Sequence, residues 1–199
     1  MYQKLLFVVT MWCGITLGSQ ASSTDCGCLG SLPPGDHVVL VCPQGDGPTL
    51  AEAGAIITLT YTDLPGGQPL SGIGPAWSPG GCNGGIVWCG ANPTSDGPTD
   101  ANGQTTVSGS FAGGGYDTEI QWLIGGMPLP FCYEQYVPLV LVSPDINADL
   151  AVDIVDLSLF AVGYNSPPKP YDPRLDFDGD GTVDLVDFAM FAGHYLHGC

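Results

Sequence analysis

Apolar and polar residues alternate from Ala55 to Thr62 (AIITLTYT). Ile57, Leu59 and Tyr61 fall on one face, and Ile56, Thr58, Thr60 and Thr62 on the other. A period of two in a β-branched run predicts a half-buried strand. The apolar run His37 to Cys42, the segment Gln104 to Phe111, and the runs Ile120 to Ile124 and Val137 to Val142 predict further strands, with Pro138 placing the last at a sheet edge. Pro65-Gly66-Gly67 supplies a turn, and Gly113-Gly114-Gly115 closes the strand begun at Gln104. Asn102-Gly103 predicts a hairpin turn whose two central residues both take positive φ. Short strands separated by frequent turns predict an all-β, immunoglobulin-like sandwich over residues 22–143.

Beyond Ser143-Pro144 the pattern becomes an internal repeat. Residues 145–164 (DINADLAVDIVDLSLFAVGY) align without a gap on residues 176–195 (DFDGDGTVDLVDFAMFAGHY), with nine of twenty positions identical. Acids or amides recur at loop positions 1, 3, 5, 9 and 12. They are Asp145, Asn147, Asp149, Asp153 and Asp156 in the first unit, and Asp176, Asp178, Asp180, Asp184 and Asp187 in the second. A hard cation such as Ca2+ takes about six to eight oxygens at about 2.3–2.6 Å, and a tight loop turns alternate side chains inward to supply them. Position 7 adds a backbone carbonyl, here Ala151 and Thr182, and position 12 closes the shell from the first turn of the next helix. Gly181 at position 6 suits the sharp bend, whereas Leu150 holds that place in the first loop. The expectation is two EF-hand-type calcium sites, the first weaker.

After each loop, Leu157, Phe160 and Ala161, then Phe188, Phe191 and Ala192, recur at i, i+3 and i+4, predicting a short helix. Val152 and Val183, both at position 8, are placed to pair across the loops. Asn165 to Pro170 predicts a stiff linker between the helices. Two like charges about 4 Å apart repel by about 1 kcal/mol in water and about 4 kcal/mol at an effective dielectric near 20. The five carboxylates of the second loop are therefore expected to order around an ion.

Twenty Asp and Glu against three Lys and Arg give a net charge of −17. That excludes nucleic-acid backbone binding, which needs a basic surface, and disfavours anionic membranes. Residues 22–143 carry ten acids and no Lys or Arg, so those acids are solvated or held by external cations. An apolar share of 44% excludes a disordered acidic tail.

Met1 to Lys4, the apolar run Leu5 to Leu17 and the small residues Ser19 and Ala21 read as a secretory signal peptide over residues 1–21. The run is too short for a membrane span, and no second candidate follows. Outside the cell Cys26, Cys28, Cys42, Cys82, Cys89, Cys132 and Cys199 are expected to form disulfides, with one left over. Cys82 and Cys89 bracket a short Gly-rich loop and are the favoured pair. His194, His197 and Cys199 lie together at the C-terminus, where a disulfide of Cys199 is favoured over a metal site.

Residues 22–143 hold no Gly-x-Ser-x-Gly, His-Glu-x-x-His or Walker motif, and their single histidine, His37, reads as a surface residue. Glu52, Glu119 and Glu134 are the glutamates a small glycoside hydrolase would use, but they are scattered singly. Trp77, Trp88, Trp122, Tyr61, Tyr116, Tyr133 and Tyr136 offer a sugar-stacking platform, with core and turn aromatics as the simpler reading.

Residues 145–197 resemble a type I dockerin domain. The likeness rests on the two twelve-residue acidic loops in register, on Asp rather than Glu at position 12 (Asp156, Asp187), and on the helix after each loop. It implies two loop–helix units related by near-twofold symmetry, bound Ca2+, and docking into a cohesin. At positions 10 and 11, where cellulosomal dockerins often carry Ser and Thr, this chain has Ile154-Val155 and Leu185-Val186. Ala161-Val162 and Ala192-Gly193 replace the downstream Lys-Arg pair. These departures speak against a clostridial cohesin and direct the apolar residues to another partner or to the neighbouring sandwich. Over residues 35–143, Thr99-Asp100-Ala101-Asn102-Gly103 and the preceding AIITLTYTDLPGGQPLSG are similar to the hairpins of bacterial immunoglobulin-like (invasin-type) repeats.

The sequence thus predicts a secreted, non-catalytic protein: a disulfide-bearing sandwich over residues 22–143, then a dockerin-like calcium-binding module over residues 144–199. The leading expectation is docking to a cohesin-like or other extracellular protein or to a cell surface. The alternatives are an accessory role in polysaccharide catabolism with a glycan-binding sandwich, a small glycoside hydrolase, and a structural spacer.

Overall fold

The structure is a computed structural model that describes residues 25–64, 67–72, 77–81, 85–90, 95–118, 120–124, 127–128, 136–137, 139–164 and 171–199. The signal segment, Pro65-Gly66, Cys82, Glu119, Cys132, Tyr133, Glu134, Pro138 and the 165–170 linker lie outside the described residues, as do the side chains of Cys26, Cys28, Trp77, Trp122 and Tyr136. In chain order the elements are β1 (Asp25–Ser31), β2 (Val38–Leu40), β3 (Ile57–Leu64), β4 (Trp77–Gly81), β5 (Ile86–Trp88), β6 (Gln104–Val107) and β7 (Gly113–Asp117). β8 (Ile120–Ile124), β9 (Met127–Pro128), β10 (Tyr136–Val137), β11 (Val140–Val142), α1 (Ile154–Tyr164) and α2 (Leu185–Gly193) follow.

The alternating run behaves as its pattern requires. Ile57, Leu59 and Tyr61 of β3 are buried, and their neighbours are half-exposed. β3 lies between β1 and β6, antiparallel to both. A second sheet has the order β2-β11-β7-β5, with β2 and β11 parallel and β7 antiparallel to β11 and β5. A third joins β10, β8 and β4, with β9 against β8.

The second sheet is buried on both faces. On one side Val39, Leu141 and Ile86 meet Ile57, Leu59, Tyr61 and Val107 in a core shared with the first sheet. On the other, Leu40 and Val142 join Ile146, Val152, Phe160, Leu175, Phe177 and Phe191 of the C-terminal segment. Continuous apolar runs, rather than alternating ones, are what a strand between two layers needs. The molecule is therefore layered: sheet, sheet, then a C-terminal segment of two helices and acidic loops. Among the described residues no helix is long and apolar enough to cross a membrane.

Four local expectations are corrected. β11 is an inner strand, not an edge, because β2 pairs with one side of it and β7 with the other. The Gly113–Gly115 run is not a terminating turn but lies in β7. A Cβ built on Gly114 would stand 1.7 Å from Asp145 Oδ2, so glycine lets the acidic segment lie directly on the strand. In the 100–104 turn only Gly103 takes positive φ (72°), because the Asp100 carboxylate accepts the N–H groups of Asn102 (2.8 Å) and Gln104 (2.9 Å) and spares Asn102 that conformation. β6 ends at Val107, because the Ser108 N–H turns to Asp96 (3.2 Å) and the Gly109 carbonyl accepts from Leu50 (3.1 Å).

Candidate metal centres

One hydrogen-bond scaffold builds both acidic loops. At position 1, Asp145 accepts the N–H groups of Asp149 (3.1 Å) and Leu150 (2.8 Å), and Asp176 accepts those of Asp180 (3.1 Å) and Gly181 (2.9 Å). At position 12, Asp156 accepts from Ile146 (2.8 Å) and Asp153 (2.9 Å), and Asp187 from Phe177 (2.6 Å) and Asp184 (2.7 Å). All four of these carboxylates are buried. At position 9, Asp153 and Asp184 accept the N–H two residues on, each at 2.7 Å, and Asp184 is the N-cap of α2 in a capping box with Asp187.

The bend needs left-handed backbone at positions 4 and 6. The second loop meets both with glycine, Gly179 (φ 72°) and Gly181 (φ 89°), and the first with Ala148 (φ 59°) and Leu150 (φ 69°). Each non-glycine residue there costs about 1–2 kcal/mol. The first loop therefore forms the same turn under strain.

Ion-binding geometry separates the loops. Asp176, Asp178 and Asp187 each bring one oxygen within 4.8 Å of the others. Oxygens on opposite sides of a cation at about 2.4 Å stand about 4.8 Å apart, so this all-oxygen set fits a hard divalent ion such as Ca2+. Asp180 faces the Thr182 N–H (2.8 Å) and hydroxyl (2.7 Å), which hold its carboxyl below the usual range. Asp180, Asp184 and Thr182 support the loop and helix and are not part of the gathered set.

In the first loop, no comparable group of three acids forms among the described residues. Asn147 donates to Asp149 (2.9 Å), and Asp153 and Asp156 serve the scaffold. The Ala151 N–H goes to Asp149 (3.1 Å), and Ala151 bridges to Gly198. Asp145 is pressed against β7, where the Gly115 N–H bonds its carbonyl at 2.8 Å. The second loop therefore holds the gathered acidic set, while the first, expected to be the weaker site, is anchored to the sheet.

The electrostatics follow this division. Burial, then the charges of Asp156 and Asp149, pushes the Asp145 carboxyl up to about 6. Asp178 is raised by desolvation and then by Asp180 and Asp187. Tyr171, which the sequence did not single out, donates its hydroxyl to Asp176.

Phe160 and Phe191 are the buried apolar anchors of the two helices. Leu157 is half-buried, while Ala161, Ala192 and Phe188 are exposed, so the covered stripe is narrower than the periodicity predicts. Ile154, Val155, Leu185 and Val186 point away from the sheets and are 47–69% exposed.

The chain end departs most from expectation. Val152 is buried in the second core, against which Val183 also packs, while its backbone turns to the chain end. Its N–H bonds His197 (2.8 Å), and its carbonyl accepts from Leu196 (2.9 Å). Cys89 forms a disulfide with Cys199, 110 residues on, and not with Cys82. His194 and His197 instead gather with Cys42 and Asp46, all four contributing atoms within 4.8 Å of one another. His-x-x-His was visible in the sequence, but its partners lie some 150 residues earlier, where only the fold brings them close.

Of the remaining candidates, Glu52 caps its own turn through Thr49 (2.8 and 2.9 Å), and His37 contacts the Pro33 carbonyl (3.0 Å). Tyr61 and Trp88 pack on the first core and Tyr116 on the second.

Comparison of the chain with protein-family models, with characterised proteins and with solved structures returned no match.

Proposed function

We propose that this chain is a secreted, non-catalytic calcium-binding protein whose dockerin-like C-terminal segment docks to an extracellular protein, with the preceding immunoglobulin-like β-sheet region as its rigid mount. The observation that carries this reading is the pairing of a gathered carboxylate set with apolar residues left exposed at the same two positions of both repeats. Ile154-Val155 and Leu185-Val186 follow their loops directly, so an ion that orders a loop also fixes the adjacent apolar pair. Exposed apolar side chains in so acidic a chain favour a partner with an apolar face rimmed by basic residues, as in a cohesin-like surface of altered chemistry. The Cys89–Cys199 disulfide supports an oxidising, extracellular setting.

The first test is calcium calorimetry on the metal-stripped mature chain. The expected result is one principal site, weakened at least tenfold by Asp178→Asn and unchanged by Asn147→Ala. The second is binding to immobilised cohesin modules in calcium and in chelator, with Ile154→Asp and Leu185→Asp alongside. Absence of calcium binding at millimolar concentration overturns the calcium reading. Binding to cohesin modules that ignores both calcium and these substitutions overturns the docking surface.

A further inference from the structure

Cys42, Asp46, His194 and His197 combine one sulfur, two imidazoles and one carboxylate, a donor set unlike the all-oxygen group of the second loop. Cys42 Sγ lies 3.5 Å from His197 Nδ1, which lies 3.2 Å from Asp46 Oδ2, and His194 Nδ1 is 3.5 Å from Asp46 Oδ1. Metal–ligand bonds of about 2.0–2.3 Å in a tetrahedron set neighbouring ligand atoms about 3.3–3.7 Å apart. The Cys42–His197 and His197–Asp46 edges lie near that spacing, and one ligand atom from each of the four residues lies within 4.8 Å of the others. The two imidazole rings stand nearly perpendicular, at 83°, with centroids 5.3 Å apart, so both present Nδ1 to the same carboxylate without stacking.

Two further observations point to a ligand. His194 Nδ1 is buried and has no hydrogen-bond partner among the described residues. A buried polar atom left so is normally satisfied by something that the protein alone does not supply. Cys42 is buried and not in a disulfide, so its sulfur remains free to ligate.

We propose that these four residues form a structural zinc site that fastens the C-terminal tail to the β-sheet region. Zinc fits better than calcium or magnesium because nitrogen and sulfur donors suit a borderline-soft ion, and four protein ligands close its shell. On loading, the Cys42 S–H bond breaks, the Zn–S bond forms and the proton leaves to solvent, with no change of oxidation state. The site spans the fold: Cys42 and Asp46 follow β2, and both histidines follow α2. Because His197 and Leu196 also hold Val152, zinc at this point steadies the first acidic loop.

The test uses the full mature chain with its disulfide intact, stripped of metal and titrated with Zn2+ alone, and a Co2+-loaded sample for absorption. The expected result is one zinc per chain, and a cobalt form with a thiolate charge-transfer band in the near ultraviolet. His194→Gln, His197→Gln and Asp46→Asn, all on partly exposed positions, should each lower zinc affinity at least tenfold while far-ultraviolet circular dichroism stays unchanged. Asp178→Asn should leave zinc binding intact, so failure of the calcium reading and failure of this one are separate outcomes. No stoichiometric zinc, a cobalt spectrum without the thiolate band, or unchanged affinity in His197→Gln and Asp46→Asn would each overturn the proposal.

Discussion

Replacing Gly114 by alanine sets a methyl carbon 1.7 Å from Asp145 Oδ2, 2.4 Å from its Cγ and 2.9 Å from its Cβ. Asp145 is fully buried and its backbone is held at both polar ends, by the Ser143 hydroxyl (3.2 Å) and the Gly115 N–H (2.8 Å). The carboxylate must therefore swing away, giving up the N–H groups of Asp149 and Leu150 that shape the first loop. Overpacking costs about 1–3 kcal/mol, and each of the two lost hydrogen bonds to a charged group about 1.5–3 kcal/mol, so the sum is at least about 4 kcal/mol. For a chain of this size that lowers Tm by roughly 8–16 °C.

The assay is thermal unfolding followed by circular dichroism, with Gly97→Ala as control, because a Cβ there meets nothing within 4 Å. Asp145→Ala combined with Gly114→Ala should cost less than the sum of the two, since the clash and the charge are removed together. A Gly114→Ala protein that melts within about 2 °C of the control, or a double variant whose losses simply add, would refute the packing of this carboxylate on β7.

Three more outcomes follow from the same geometry. Ala148→Gly should raise the urea midpoint by the equivalent of up to about 1 kcal/mol once the freer unfolded chain is subtracted, and Gly181→Ala at φ 89° should lower it; the opposite signs would contradict the strain. In chelator, the folded chain holds the Asp145 proton up to about pH 6 whereas the unfolded chain releases it near pH 4. Stability should therefore fall as pH rises through that window, and the fall should be absent in Asp145→Asn when midpoints are compared at pH 4, 5 and 6. Removing the Cys89–Cys199 bond by Cys199→Ser opens a closed loop of 110 residues and should cost about 3–5 kcal/mol in urea unfolding of the oxidised protein; an unchanged midpoint would show that other contacts already confine the tail.

What the sequence disclosed and what it hid divide along physical lines. The period-two run through Ile57, Leu59 and Tyr61 is a local signal and appears as read, and the acidic repeat, equally local, folds into two loops on one hydrogen-bond scaffold. Position 6 was recognised as a bend, but position 4 was not, because Ala148 and Gly179 reveal a shared backbone conformation only through φ. Gly113–Gly115 looked like a terminator because glycine disfavours strands, yet close approach of Asp145 demands it inside one. Val140–Val142 looked like an edge because of Pro138, yet its pairing partners β2 and β7 come from distant parts of the chain that no local signal announces. The convergence of Cys42 with His197 spans 155 residues and has no periodic trace at all.

The shared pattern of the two repeats conceals a division of labour. The same hydrogen bonds shape both loops, so the difference lies in what stands behind them. The first loop has Asp145 sunk against Gly114, its Val152 backbone bonded to the chain end, and Asn147 turned onto Asp149. Its acidic residues are committed to the protein. The second loop touches the sheet mainly where Gly179 abuts Val38, and leaves Asp178 exposed beside Asp176 and Asp187. Asp178 thus stands at the surface beside two buried carboxylates, where an external cation would relieve the repulsion of like charges. On the proposed calcium reading, one copy bears the layer contact and the other responds to the ion. Calcium should consequently change the exposure of Leu185 and Val186 more than that of Ile154 and Val155, a difference that hydrogen exchange across the two helix starts measures directly.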